Sequence, residues 1–400
     1  MVNDTTDMIT TGALRADTPA SLAPAATTAR RPRLMVLGTG GTIAGNAANP
    51  ANGAVYEASV LGIDSLLAAI PQLGTLAEIA YEQFDNIDSK NATPAFWSRL
   101  AYRLERLDGD DAIDGIVVTH GTDTLEETAF FLDLALTARK PVVLTAAMRP
   151  ANAVSADGPL NLMDALSVAA HCNAAGRGVL VVLAGQIHAA RHVSKVHTNS
   201  VAAFSSGEAG LLGFIHGGTP AFYGPATRAS GHGMRAVQAI DGVGQTGMAD
   251  KDAIVQAPQP VQVPVVAGKH DVPGQPSRWC GPALPSVEII FCHAGASRLF
   301  IDCAVAAGAR GIVLAALGNG SLNDEMEAAA AEAVGKGVIV VRSTRVAHGG
   351  VLHKASAADD PHGLVSAAML SPARARILLM LALQANVTST AALQDLFASV

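Results

Sequence analysis

The sequence predicts an α/β protein: a larger N-terminal doubly wound, mainly parallel sheet followed by a smaller C-terminal α/β domain. Three observations carry this. Short runs of Val, Ile and Leu, the composition of strands buried on both faces, alternate with amphipathic segments of helical period. That alternation is the mark of right-handed βαβ crossovers. Charged residues are 15% of the chain, below the usual ~25%, and aromatics only 4%, which favours layered α/β packing over a β-sandwich. At roughly 100 to 200 residues per domain, 400 residues suggest two or three domains with ample apolar material for a core.

Residues 1–30 are rich in Ala, Thr, Pro and Asp without sustained period, and are expected to be a disordered tail. The N-terminal domain is placed at 31–215. Apolar runs such as Leu34-Met35-Val36-Leu37 set its strands at 34–37, 77–81, 115–119, 141–145 and 178–183. Amphipathic stretches between them set helices at 59–70, 94–107, 125–138 and 159–172. Between 216 and 285 the chain turns to Gly, Pro, Gln and His with weak period, a composition expected of a linker or insertion. The pattern resumes in a C-terminal domain at 286–400, with strands at 287–292, 311–315 and 338–341 and helices at 296–307, 324–334 and 372–384.

Composition also excludes classes of function. Twenty-seven basic against 34 acidic residues leave a net charge of −7, so nucleic acid is not an expected partner. Mean hydropathy is +0.31, yet no apolar run approaches the ~20 residues a membrane span needs; the best, Leu299 to Leu317, carries Asp302 and Arg310. Four cysteines without C-x-x-C spacing indicate neither a zinc ribbon nor a disulfide framework. The first residues bear Asp4 and Asp7 where a secretory leader would be basic, and a cytoplasmic enzyme is expected.

Ligands of open parallel sheets bind beyond the carboxyl ends of the strands, and three clusters fall there. The first is Gly38-Thr39-Gly40-Gly41-Thr42-Ile43-Ala44-Gly45. It fits neither phosphate motif, since Ile43 stands where G-x-G-x-x-G needs its last glycine and Asn46 where the P-loop needs lysine. A glycine turn that exposes N–H groups and presents the Thr42 hydroxyl suits a nucleophile beside oxyanion donors, and equally suits a capped turn. The second cluster is Thr119-His120-Gly121-Thr122-Asp123-Thr124-Leu125-Glu126-Glu127. Helix capping and the helix dipole account for much of it, but not for a second hydroxyl and carboxylate at a neighbouring strand end. The third, Arg191-His192-Val193-Ser194-Lys195, offers a lysine that becomes a proton acceptor if buried. His188 and His192 stand at i, i+4, but Ala-Ala-Arg lies between them, so no metal is expected.

Taken together, Gly40-Gly41-Thr42-Ile43-Ala44-Gly45, Thr119 to Thr124, Ala147-Met148-Arg149-Pro150, Ser155 to Leu162, Val341 to Val346 and Pro372 to Arg376 resemble the signature segments of the bacterial L-asparaginase family. The resemblance implies a homotetrameric amidohydrolase that converts L-asparagine to aspartate and ammonia without metal or cofactor, with glutaminase as a side activity. Thr42 matches the nucleophile and Tyr56 the tyrosine of the mobile lid. Ser89 matches the serine that holds the substrate carboxylate, and Asp123 the acid that pairs with its amino group. Thr122, Asp123 and Lys195 match the second catalytic set. An alternative gives the nucleophile to Thr122 with Lys195 as base. The Asp123 carboxylate opposes it, because it favours the charged lysine.

The chain departs from the best-known members in three places. Lys90 stands where they have glutamine, Ser356 where a neighbouring subunit's glutamate holds the substrate ammonium, and Gly295 where an asparagine accompanies it. If Lys90 and Ser356 face the ligand, the pocket is more positive by about two charges. Two other classes of function compete. One is an amino-acid-binding protein without catalysis, which needs no paired hydroxyls with a lysine. The other is an asparaginase-like subunit of a tRNA-dependent amidotransferase, which should carry a further folded N-terminal module.

Overall fold

The computed structural model describes residues 30–51, 55–226, 283–354 and 359–400. The expected tail before Arg30 and most of the expected linker, residues 227–282, lie outside the described residues.

The chain enters through β1 (Arg33–Gly40), buried from Leu34 onward. A short hairpin of β2 (Asn46–Ala47) and β3 (Tyr56–Glu57) follows, then α1 (Ile63–Ala68), α2 (Leu73–Leu76) and β4 (Glu78–Ile87). The single helix expected over 59–70 is thus shorter. Ser59 takes φ +61 and Gly62 is extended, so helix begins only at Ile63, and Pro71 separates the two pieces. Next come α3 (Pro94–Asp108), β5 (Gly115–Thr119), α4 (Leu125–Ala135), β6 (Val142–Thr145), α5 (Gly158–Ala169) and β7 (Val179–Leu183). The side chain of Thr93 caps α3 by accepting from the Phe96 N–H, with proline at the first turn.

Beyond β7 the sheet turns antiparallel through β8 (Gln186–Ala189), whose two-residue turn has Ala184 at φ +50 and Gly185 at +73. The two-residue strands β9 (Ser194–Lys195) and β10 (Phe204–Ser205) pair beside it. β11 (Gly213–His216) and β12 (Thr219–Phe222) complete the sheet around Gly217 and Gly218, both at positive φ. The linker composition from 216 therefore misled for its first residues, where a Gly-Gly hairpin returns the chain into the sheet. The strand order is β12-β11-β8-β7-β6-β5-β1-β4, with β4 through β7 parallel.

The second sheet is parallel throughout, in the order β13 (Val287–Phe291), β14 (Gly311–Ala316), β15 (Ile339–Thr344), β16 (Val365–Ser366). Its helices are α6 (Leu299–Ala306), α7 (Asp324–Gly335), α8 (Asp359–His362), α9 (Pro372–Gln384) and α10 (Thr390–Ser399). α9 is buried along most of its length and packs on both α4 and the second sheet. Phe130, Phe131 and Leu134 of the first domain thus share one cluster with Val287, Val313, Leu378 and Leu381 of the second. Each such side chain, fully buried, stabilises the fold by about 1.5–3 kcal/mol.

Three buried titratable groups tie stability to pH. Burial pushes His120 and His188 from 6.5 down to about 4, and Asp164 on α5 from 3.8 up to about 6. As pH falls from 6.5 to about 4, the unfolded chain takes up protons at both histidines and the fold does not, so stability is lost. Asp164 works the other way: its contribution is full below pH 3.8 and lost as pH rises to about 6. Asp164→Asn should therefore stabilise the protein at pH 8 by about 1–3 kcal/mol, with the gain disappearing near pH 4 in thermal melts.

Candidate active site

β1 lies between β4 and β5, where the winding of the sheet reverses, and the loops leaving these three strands meet at their carboxyl ends. Glycine makes the meeting this close. Gly40 and Gly41 take φ +100 and +85, and a Cβ on Gly41 would sit 2.4 Å from the Gly121 backbone. A Cβ on Gly121 would sit 2.5 Å from Ser89 Oγ. The Thr42 and Thr122 loops are thus packed backbone to backbone, with the Ser89 side chain against Gly121, and a side chain at either glycine would separate them.

Thr42 opens a 3-10 turn, Thr42–Ala44, and is nearly buried. Its Oγ1 lies 2.8 Å from the Tyr56 hydroxyl. Tyr56 arrives on β3, and the root of its hairpin is fixed by Asn152, whose carboxamide accepts from Ala47 N–H at 2.8 Å and donates to Ala47 O at 2.7 Å. The expectation that glycine-turn N–H groups supply oxyanion donors is corrected at Gly41. That N–H donates to Ile87 O at 3.1 Å and Ser59 Oγ at 2.8 Å. The groups with no acceptor inside the turn are the N–H of Thr42 and Ile43, at its head.

The second set stands at the head of α4. Lys195 Nζ donates to Thr122 Oγ1 at 2.9 Å and to Asp123 Oδ1 at 2.7 Å. Lys195 is largely buried while Asp123 keeps 58% of its side chain exposed, leaving the carboxylate an open side for a ligand. Thr124 Oγ1 donates to Ser89 O at 2.8 Å, which ties this loop to the one after β4. Beneath it, Trp97 Nε1–H donates to Thr128 Oγ1, and Thr128 to His120 Nε2 at 3.1 Å. His120 Nδ1–H then donates to Gly121 O at 2.7 Å, so this histidine is a neutral strut for the loop.

Ser89 is buried in a turn capped by Asp88. Lys90 is exposed and paired with Asp88 at 2.9 Å; that partner, and more weakly Asp123 and Tyr56, raise its pKa. Lys90 therefore sits at the mouth of the site within the electrostatic reach of both. Ser356 lies outside the described residues. Gly295, at φ +74, faces open space. His188 is in β8 and bonded to Ser206 Oγ at 2.8 Å, and no group of three or more His, Cys, Asp or Glu suited to a metal occurs among the described residues.

The structure thus brings together Thr42 with Tyr56, and Thr122, Asp123 and Lys195 with one another, above Ser89. It adds Glu126, whose Oε2 accepts the Lys195 N–H at 2.5 Å, and Arg374 of α9, which bonds Ser194 Oγ at 3.0 Å and Val193 O. Glu126 reads in sequence as a first-turn acid. Arg374 is separated from its partners by 180 and 181 positions and carries no local signal.

Comparison with known proteins points to one family for the whole chain. Residues 33–228 match the family profile described as "Asparaginase, N-terminal", and residues 286–397 the "Glutaminase/Asparaginase C-terminal domain". The chain is 39% identical to "L-asparaginase 2" of Bacillus subtilis, over 88% of this chain and 82% of that protein. It is 36% identical to a "Glutaminase-asparaginase" of Pseudomonas fluorescens, over 88% and 86%. The crystal structure of "Probable Cytoplasmic L-asparaginase from Campylobacter jejuni" superposes with a TM-score of 0.78 at 36% identity, covering 92% of this chain and all of that one.

Proposed function

The chain belongs to the asparaginase family, and on that premise we propose that it hydrolyses the side-chain amide of L-asparagine to L-aspartate and ammonia, with glutaminase as a side activity. The observation that carries this reading is the pairing, at adjoining strand ends, of one threonine hydroxyl with a phenol and of another with a lysine-aspartate pair.

An amide is a poor electrophile and threonine a weak nucleophile, so the hydroxyl must lose its proton as it attacks. Thr42 Oγ1 adds to the amide carbon and its proton passes through Tyr56 Oη toward the amide nitrogen. The C–N bond breaks, ammonia leaves, and a β-aspartyl ester remains on Thr42. The N–H groups of Thr42 and Ile43 stand at the head of the turn, where negative charge develops on the carbonyl oxygen. Water then adds to the ester, oriented by Thr122 with Lys195 relaying a proton, and Thr42 is regenerated. Lys195 is engaged with both Asp123 and the Thr122 hydroxyl, whereas Thr42 faces the Tyr56 phenol, and this supports Thr42 over Thr122 as nucleophile. Ser89 receives the substrate carboxylate and the open side of Asp123 its ammonium. The lid bearing Tyr56 closes over both and excludes water. No cofactor enters the reaction.

Ammonia release from asparagine and glutamine, by the wild type and Thr42→Ala, tests the reading directly; a binding protein would release none. Lys90 adds a positive charge near the carboxylate subsite. Lys90→Gln is expected to raise KM for asparagine about two- to fivefold, in keeping with an exposed, screened charge, with kcat within about twofold. Steady-state kinetics at two ionic strengths checks this, since added salt should shrink the difference. We assign the assembly as a homotetramer in the cytoplasm. Exposed Phe291, Phe300 and Met369 on the second domain supply apolar surface for subunit contact, and no helix among the described residues is long and apolar enough to cross a membrane. Light scattering reads the assembly.

A further inference from the structure

We propose that Glu126 and Arg374 are positioning residues: by holding residues 193–195 from two directions they set the Lys195 ammonium against Thr122 and Asp123. The inference rests on the role given to Lys195 above. The argument begins with the weakness of what otherwise holds this lysine. Its stem is flexible and carries about 2 kcal/mol of rotamer entropy. It springs from β9, a two-residue strand laddered with the two-residue β10. Such a segment has little of its own to fix a side chain to within the ~0.5 Å a reacting group requires.

Two side chains from opposite directions supply the fixation. Glu126, in the first turn of α4 and three residues past Asp123, turns back so that Oε2 accepts the Lys195 N–H at 2.5 Å, a short charge-assisted bond. Arg374 comes from α9 in the other domain. Its Nη2 donates to Val193 O and to Ser194 Oγ at 3.0 Å, and the residue is only 7% exposed. The three consecutive residues 193–195 are therefore bracketed. The carbonyl of the first and hydroxyl of the second are held by a cation, and the N–H of the third is held by an anion.

The two brackets also answer one another electrostatically, since Glu126 is the charge that opposes the burial of the Arg374 guanidinium. Packing fixes Arg374 further, with its guanidinium carbon 5.9 Å from the centre of the Phe130 ring. A buried ion arrangement of this kind contributes little net stability compared with apolar packing of the same volume. Its geometric product is different: α4, which carries Thr122 and Asp123 at its head, and the strand that carries Lys195 are locked to each other through Glu126. Arg374 brings the second domain to this strand by way of Val193 O and Ser194 Oγ. Neither residue touches Thr42, Tyr56 or the hydroxyl of Thr122.

The test is a set of full-length variants assayed for asparagine hydrolysis. Glu126→Ala and Arg374→Met should lower kcat about 10- to 100-fold, the scale of an ångström-size misplacement, with KM within about threefold. Glu126→Gln keeps an acceptor and Arg374→Lys keeps a donor, and each should recover most of the loss. In a Lys195→Met background the same Glu126→Ala change should cost less than about twofold, because there is no ammonium left to place. A folded Glu126→Ala enzyme with wild-type kcat, or a loss of equal size in the Lys195→Met background, overturns the proposal. The Glu126 pair alone decides the matter if Arg374→Met does not fold. The failure of the underlying reading looks different: Lys195→Met would then itself turn over normally.

Discussion

Thr42→Ala is expected to abolish asparagine turnover, with kcat falling about 10⁴-fold or more, because it removes the hydroxyl that contacts the Tyr56 phenol and that we propose as the nucleophile. The fold should survive. The change removes a hydroxyl and a methyl from a nearly buried position whose turn is set by Gly40, Gly41 and backbone bonds, not by the threonine. Substrate binding should survive as well, since Ser89 and Asp123 stand apart from the deleted atoms. Thr42→Ser should keep measurable activity. Mass spectrometry of the wild type quenched during turnover of a slow acyl donor should find an ester on the peptide containing Thr42. Undiminished ammonia release by the alanine variant would remove the nucleophile from this residue.

Lys195→Met should lower kcat by about 10²–10⁴-fold, the range of a positioned proton-transfer group. It strips two hydrogen bonds at once, leaving the Thr122 hydroxyl and the Asp123 carboxylate without the ammonium they share. Because the three act as a unit, Thr122→Val added to Lys195→Met should cost far less than either change alone. Methionine matches the length of the stem, so circular dichroism and melting should change little. Additive losses in the double variant would mean that threonine and lysine serve separate steps.

The strands and helices of the βα alternation were legible because each is long enough to declare its period, as in the apolar run of β5 or the amphipathic face of α3. The hairpins were not. β2, β3, β9 and β10 are two residues each, too short for any period, and two of them carry Tyr56 and Lys195. Their roles were readable only through resemblance. A signature segment can also be scaffold: Asp157 of the Ser155 to Leu162 segment accepts the N–H of Met148 and Arg149, and Asn161 donates to Ala146 O while accepting from Ala184 N–H. These side chains brace the turn after β6 instead of reaching the reacting centre. Glu126 and Arg374 were not legible in this way, since a first-turn acid and a distant arginine look ordinary until the fold places both on the strand of Lys195.

The packing of α9 against α4 has a consequence for how such a protein can be divided. The hydroxyls of Thr42, Ser89 and Thr122, the Tyr56 phenol and Lys195 all lie before residue 226, so on paper the N-terminal part of the chain carries every step proposed for the reaction. A polypeptide cut there would nonetheless open Phe130 and Phe131 to water and lose the guanidinium behind Lys195. The boundary drawn by topology is therefore not a seam along which evolution or an engineer could detach a minimal catalyst.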